Sequence, residues 1–151
     1  MKLTQRDQDI IQALAAHVRI FSLEQISEQW WPVTKSGHLL ARRRLAALTR
    51  YGLLTSTHLL ATVLPDLVSP VLVWQPGLPE PDLGAAAWQL QSRWKQEPSH
   101  TKVYLATSAA ARLFGGKANG KLKHQFQASH DLGVAAMYLR LRHDRPELVR
   151  Y

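Results

Sequence analysis

The chain has 151 residues, no cysteine and a formal charge of +8, with 19 Lys and Arg against 11 Asp and Glu. That length suffices for one domain, or a small domain with an extension, and for a core that needs no covalent staples. The lack of cysteine excludes disulfides and thiolate metal sites and agrees with a reducing cytoplasm, the expected compartment.

The N-terminal MKLTQRDQ has no signal-peptide core, and no stretch reaches a membrane span, since LLATVLPDLV is broken by Pro65 and Asp66. Charge is unevenly placed. Residues 1–52 carry eight Lys and Arg against four acids, residues 53–100 two against four, and residues 101–151 nine against three. A basic front, an acidic middle and a basic end give a polarised field that suits nucleic acid better than an anionic membrane, because no basic stretch has a matching apolar membrane face.

Thr4 and Asp7 have the spacing of a capping box and open a first helix with apolar positions Ile10, Ile11, Leu14 and Val18. Ser22 and Gln25 repeat the pattern for a short second helix, whose apolar side is Leu23, Ile26 and Trp30 and which ends before Pro32. Trp30 and Trp31 are candidate base-stacking aromatics, although an aromatic closing a short helix more often packs under its neighbours. VTKSG then releases a third helix, KSGHLLARRRLAALTR, in which Ala41, Leu45 and Leu48 form a buried stripe. Arg43, Arg50 and Ser36 lie opposite that stripe, with Leu39 between them and Arg42 and Arg44 to either side. Gly52 sits where a helix ends in a left-handed conformation, and Leu53 and Leu54 begin a new apolar run.

Strand-like runs at 53–62 and 71–75 predict a hairpin turning at VLPDLVSP. Its tip has no Lys or Arg and includes Asp66, so Val63, Leu64, Leu67 and Val68 are expected to meet protein rather than phosphate. QPGLPEPDL, with Pro76, Pro79 and Pro81, reads as an extended linker. LGAAAWQLQSRWKQ reads as a helix with Trp88 and Trp94. SHTKVYLAT reads as a strand in which Val103 and Leu105 alternate with Tyr104, able to join the hairpin as a third member. Thr107 or Ser108 caps a short helix through Phe114. Gly115, Gly120 and Lys121 fit G-x-x-x-x-G-K, but Leu122 stands where magnesium needs a hydroxyl and the loop follows a helix, so a basic loop is expected and no nucleotide.

The last helix, about 129–142, carries Leu132, Ala136 and Leu139 on one apolar stripe and Val134, Met137, Tyr138 and Leu141 on another. Two apolar sides in a small domain call for two partners, so Leu132, Ala136, Met137, Leu139 and Leu141 are the expected homodimer contact. His124, His130, Asp131 and His143 do not match metal-binding spacing. Asp131 reads as a first-turn carboxylate and His130 as a buried hydrogen-bonding imidazole. With no cysteine nucleophile and no G-x-S-x-G elbow, neither an enzyme, a metal nor a cofactor is expected.

Together these elements predict an α+β, mainly α fold: a winged helix-turn-helix with a small antiparallel sheet and extra C-terminal helices. Its parts are a core at 1–75, a Pro/Trp-rich insertion at 76–101, and a third strand, short helix, basic loop and dimerisation helix at 102–151. LTQRDQDIIQAL, ARRRLAALTRYGLL, KVYLATSAAARLF and HDLGVAAMYLRLR, in that order, resemble the plasmid replication-relaxation family of winged-helix proteins, and the Pro/Trp-rich middle departs from it. The resemblance implies a bacterial DNA-binding protein linked to a plasmid or mobile element, in a family whose members often continue past a point like Arg150–Tyr151.

The partner expected is double-stranded DNA. Lys35, Ser36 and His38 would approach base edges, Arg42 and Arg43 would reach guanines or phosphates, and Arg44 and Arg50 would grip the backbone. The alternatives are a protein–protein adaptor on the same scaffold, or the DNA-targeting part of a longer nuclease or relaxase.

Overall fold

A computed structural model describes residues 2–63, 69–118, 120–122, 124 and 127–149. The fold is α+β and mainly helical. In chain order it comprises α1 (Gln5–Gln12), a π-helical turn (Ala13–His17), β1 (Phe21–Ser22), α2 (Leu23–Trp30), α3 (Lys35–Arg50) and β2 (Leu54–Ala61). There follow α4 (Leu83–Ser92) with a short 3-10 turn, β3 (Ser99–Ala106), α5 (Ser108–Phe114) and α6 (Ala128–Asp144), with a final 3-10 turn at Pro146–Val149. Among the described residues no helix is long and apolar enough to cross a membrane.

The helix starts follow from local chemistry. Thr4 and Asp7 form a reciprocal capping box on α1, as Ser22 and Gln25 do on α2, so each helix has two of its orphan first-turn donors satisfied by its own sequence. At the other end of α3, Gly52 has φ +79°, its N–H bonds the Thr49 carbonyl at 3.0 Å, and the Leu53 N–H reaches back to the Leu48 carbonyl at 3.1 Å. This Schellman closure turns the chain directly into β2. The first helix is shorter than the apolar periodicity predicts. It widens into the π turn, where the Val18 N–H bonds the Ala13 carbonyl, and Val18 itself is extended.

The sheet differs most from expectation. Its order is β1-β3-β2, antiparallel throughout, with β2 and β3 in register from Leu54 opposite Ala106 to Ala61 opposite Ser99. Residues 71–75 are not a strand. Bounded by Pro70 and Pro76 and carrying Leu72, Val73 and Trp74 exposed, they find no ladder to join. The hairpin expected within residues 1–75 is instead closed from outside, by β3. The short β1 escaped notice because two residues carry no period, and it exists because β3 has a second edge to offer. Of the expected hairpin tip, Leu64, Leu67 and Val68 lie outside the described residues, and Val63 is exposed.

Two faces of this sheet bury two clusters. Leu54, Tyr104 and Ala106 face Ile10, Ile11 and Leu14 of α1, Ile26 of α2, and Ala41, Leu45 and Leu48 of α3. Val103, Leu105, Leu59 and Ala61 face the opposite way, onto Ile20 and the first turns of α6 through Ala128 and Leu132. Farther along α6, Ala135 and Leu139 enter the larger cluster. Leu132 and Leu139 are therefore core residues of their own chain, which removes them from the expected dimer surface. Ala136 and Leu141 are half-buried and Met137 is exposed. Tyr138 stacks on His17 with ring centroids 5.3 Å apart.

Gly37 sets the approach of α2 to α3. A Cβ there would fall 2.0 Å from the Pro32 carbonyl oxygen, so only glycine lets the turn fold this tightly over the start of α3. Gly37→Ala is expected to lower stability by about 1–3 kcal/mol, measured as a drop in urea midpoint at unchanged m. A neutral outcome would mean that the turn yields without cost.

Candidate nucleic-acid interface

α3 is fastened at three points along its length. At its start, the Thr34 hydroxyl accepts the Gly37 N–H at 3.0 Å while Gly37 nests against Pro32. Midway, Arg44 Nε donates to Asp7 Oδ1 at 2.9 Å, and its Nη2 donates both to Asp7 Oδ2 and to the Lys2 carbonyl. At its end, the Thr107 hydroxyl donates to the Gly52 carbonyl at 2.7 Å while the same oxygen caps α5 through the Ala110 N–H.

Arg44 is thus a brace and not a backbone grip. Its position on the helix points it at α1, where Asp7 is fully buried, so a carboxylate with no water to solvate it requires this guanidinium. Burial pushes the Asp7 carboxyl up, but the Arg44 guanidinium and the Thr4 N–H and hydroxyl outweigh it, and the group ends below its ordinary 3.8. The hydrogen bond to Asp7 in turn raises Arg44.

The rest of the cationic helix faces outward. Lys35, Ser36, His38, Arg42, Arg43 and Arg50 are all exposed. Among the described residues none of Lys35, Arg42, Arg43 and Arg50 has an acidic partner within salt-bridge distance. Ser36 shares a hydrogen bond with Thr34 at 3.0 Å. Leu39 and Leu40 are exposed on the same surface, offering apolar atoms between the charges.

The hairpin extends this surface. Residues directly opposite in an antiparallel pair share a face, so His58 with Lys102, and Leu60 with His100, lie on the side of the sheet that also carries Tyr104. Lys102 Nζ sits 5.7 Å from the Tyr104 ring centroid. Burial raises the Tyr104 phenol, the nearby Arg42 charge pulls it back, and Glu24 pushes it up again. Lys102 thus lies over a buried ring whose titration also senses the Arg42 charge, which sets a cation of the hairpin near one of the helix. The sequence alone does not point to Lys102, His58 or His100. Their alternation is visible, but the sequence reading gives β2 a hairpin partner at 71–75 in place of β3, so the register that sets them side by side is missed.

Other candidate residues are accounted for differently. Trp31 is buried under Arg6, whose Cζ lies 4.5 Å from the ring centroid, and Trp30 packs edge-on against Phe21 with Arg142 over its ring. Neither offers a free face for base stacking. His130 is exposed rather than buried, and its Nδ1 lies 3.5 Å from Asp131. Asp131 is the buried first-turn acid of α6, 3.7 Å from Arg19. In the glycine-rich loop the Lys117 N–H bonds the Ala15 carbonyl and the Gly120 N–H bonds the Ala106 carbonyl, so two amides that a phosphate would need are engaged. Among the described residues no group of three His, Asp or Glu is arranged to hold a metal ion.

No family model matches the chain, and neither a curated protein nor a solved structure matches it. The functional reading therefore stands on the chain's own residues.

Arg44→Met leaves Asp7 buried with only its Thr4 bonds and is expected to cost about 2 kcal/mol, below the range for a fully buried pair because the guanidinium is 29% exposed. Asp7 has a folded pKa below its unfolded value, so its contribution is complete above the unfolded value and is lost as pH falls through the folded one. Urea unfolding at neutral pH and near pH 3 should show the gap between wild type and variant narrowing in acid. A gap independent of pH would remove Asp7 as the partner that titrates.

Proposed function

We propose that the protein binds double-stranded DNA as a winged-helix protein, with α3 in the major groove and the β2–β3 hairpin lying along the adjacent phosphates. The observation that carries this reading is the division of labour among the three consecutive arginines. Arg44 is held inward by Asp7, whereas Arg42 and Arg43 stand outward in a row with Lys35 and Arg50 and lack acidic partners. A cationic helix fastened from behind, with its outer face unobstructed, suits groove entry. α2 crosses behind its start, as the first helix of a helix-turn-helix does.

In this arrangement Lys35, Ser36 and His38 meet base edges, and Arg43 reaches guanine or phosphate. Arg42, Arg50 and Lys102 neutralise backbone charge. Leu39 and Leu40 supply apolar contact of the kind thymine methyl groups accept. With the resemblance to the plasmid replication-relaxation family, the role proposed is regulation of replication or transcription of a plasmid or mobile element inside a bacterial cytoplasm.

The test is the salt dependence of binding to duplexes selected from a random pool, read by fluorescence anisotropy. Neutralising four or five phosphates gives a slope of log K against log salt of about −4. Lys102→Ala should reduce that slope by about 1, and Arg43→Ala should cost about 1–3 kcal/mol on the preferred site. Arg44→Met should leave the slope unchanged wherever the variant is folded. A flat salt dependence would replace this reading with a protein–protein adaptor.

A further inference from the structure

We propose that two copies of the chain associate through the segment 73–90, with their α4 helices packed antiparallel across a two-fold axis. This goes beyond the DNA reading and does not depend on it.

α4 has the composition of a core helix and none of its burial. Its sequence LGAAAWQLQS contains no charged residue, its apolar side chains point in all directions around the axis, and not one of its residues is buried. A helix apolar all round is normally covered on all sides. Trp88 is 68% exposed and Leu83 66%, and Val73, Trp74, Leu78 and Leu90 are exposed as well. Monomeric proteins seldom leave more than a few hundred Å² of apolar surface in one place.

Area and charge select a second copy as the occupant. Spread over α4 and the stretch before it, these six residues expose roughly 700 Å² in all, an upper bound on one copy's share, against the roughly 800 Å² that each partner contributes to a standard stable interface. The uncharged stretch can lie against itself across a two-fold without bringing like charges together. Its flanks differ in net sign, with Glu80 and Asp82 before the uncharged stretch and Arg93 and Lys95 against the single Glu97 after it. Antiparallel pairing therefore sets the acidic end of one copy beside the basic end of the other, and opposes the two helix dipoles. α6 does the reverse. Its Leu132 and Leu139 are already buried, and at its outer end Arg140 and Arg142 are engaged by Asp144 and Asp9, so little apolar surface is left there for a second copy.

Because α4 buries nothing within its own chain, Trp88→Glu and Leu83→Glu should leave the fold intact, which circular dichroism checks. Sedimentation velocity without DNA should then show a dimer for the wild type in the micromolar range. Each of these variants should weaken dimerisation by at least about tenfold, while Met137→Glu on α6 leaves it unchanged. A wild type that stays monomeric would assign the segment to a different occupant and overturn the proposal. A dimer that survives both α4 variants, or one lost only in Met137→Glu, would overturn it equally. The DNA reading is untouched by either result, since single half-site binding is measured separately.

Discussion

One buried carboxylate decides how this molecule is put together. Asp7 accepts from the Thr4 N–H and the Thr4 hydroxyl, which caps α1, and from two nitrogens of Arg44, which locks α3 against α1. An anion with no exposure is tolerable only when every lone pair is met, so the geometry of three elements is coupled at one point. A helix packed by leucines alone can rotate or slide at modest cost. A helix whose mid-point guanidinium must find one carboxylate cannot, because a misplaced α3 leaves a buried charge unpaired. Since α3 cannot rotate freely, the face opposite its buried Ala41, Leu45 and Leu48 is the face it shows to solvent, and that face carries Arg43, Ser36 and Arg50.

The same economy recurs at the other helix starts. Gln25, which completes the capping box of α2, sends its Nε2 to the Leu132 carbonyl of α6 at 3.0 Å. Thr107 caps α5 and bonds the carbonyl of Gly52 at the end of α3. Ser129, in the first turn of α6, accepts the Thr62 N–H just beyond β2. Two caps that would each stabilise a single helix by about 1 kcal/mol, and one first-turn serine, also position their helices against distant segments. Capping patterns report only local structure when read from a sequence, yet here each one marks a junction.

Much of the fold was legible because it depends on local chemistry. The two capping boxes, Pro32 and Gly52 bound α1, α2 and α3 through interactions spanning a few residues, and the 3.6-residue period of Ala41, Leu45 and Leu48 identifies the buried face of α3. What could not be read depends on pairing across long separations. Val71–Gln75 has strand composition as good as that of β3, and only the closing of a ladder across the 62–98 segment decides between them. Lys102 was hidden by the same error, since its place beside Tyr104 and opposite His58 follows from the register. Arg44 was hidden differently. In the run Arg42–Arg44 three identical side chains look equivalent, and only the fully buried Asp7, 37 positions earlier, separates the structural arginine from its neighbours. α6 misled in the opposite direction. Its first stripe meets two parts of its own chain, Leu132 the far face of the sheet and Leu139 the α1–α3 core, while Val134 and Met137 of the second stay exposed.

The molecule thus divides its charged and apolar residues by role. In the body, arginines that meet acids are structural: Arg44 with Asp7, Arg142 with Asp9 at 2.9 Å, and Arg19 near the buried Asp131. α1 supplies two of those acids, on opposite sides of the helix, and so anchors α3 and α6 at once. The outward cations of α3 are left without such acids, and a row of unneutralised charge lowers stability through self-repulsion unless a polyanion relieves it. α4 poses the apolar counterpart of that problem, being a stretch with core composition and no core to enter. In the readings proposed above, phosphate covers the first surface and the apolar surface of a second copy covers the second. On those readings each partner would stabilise the chain by binding its folded form, because each covers a feature that the fold itself leaves uncovered.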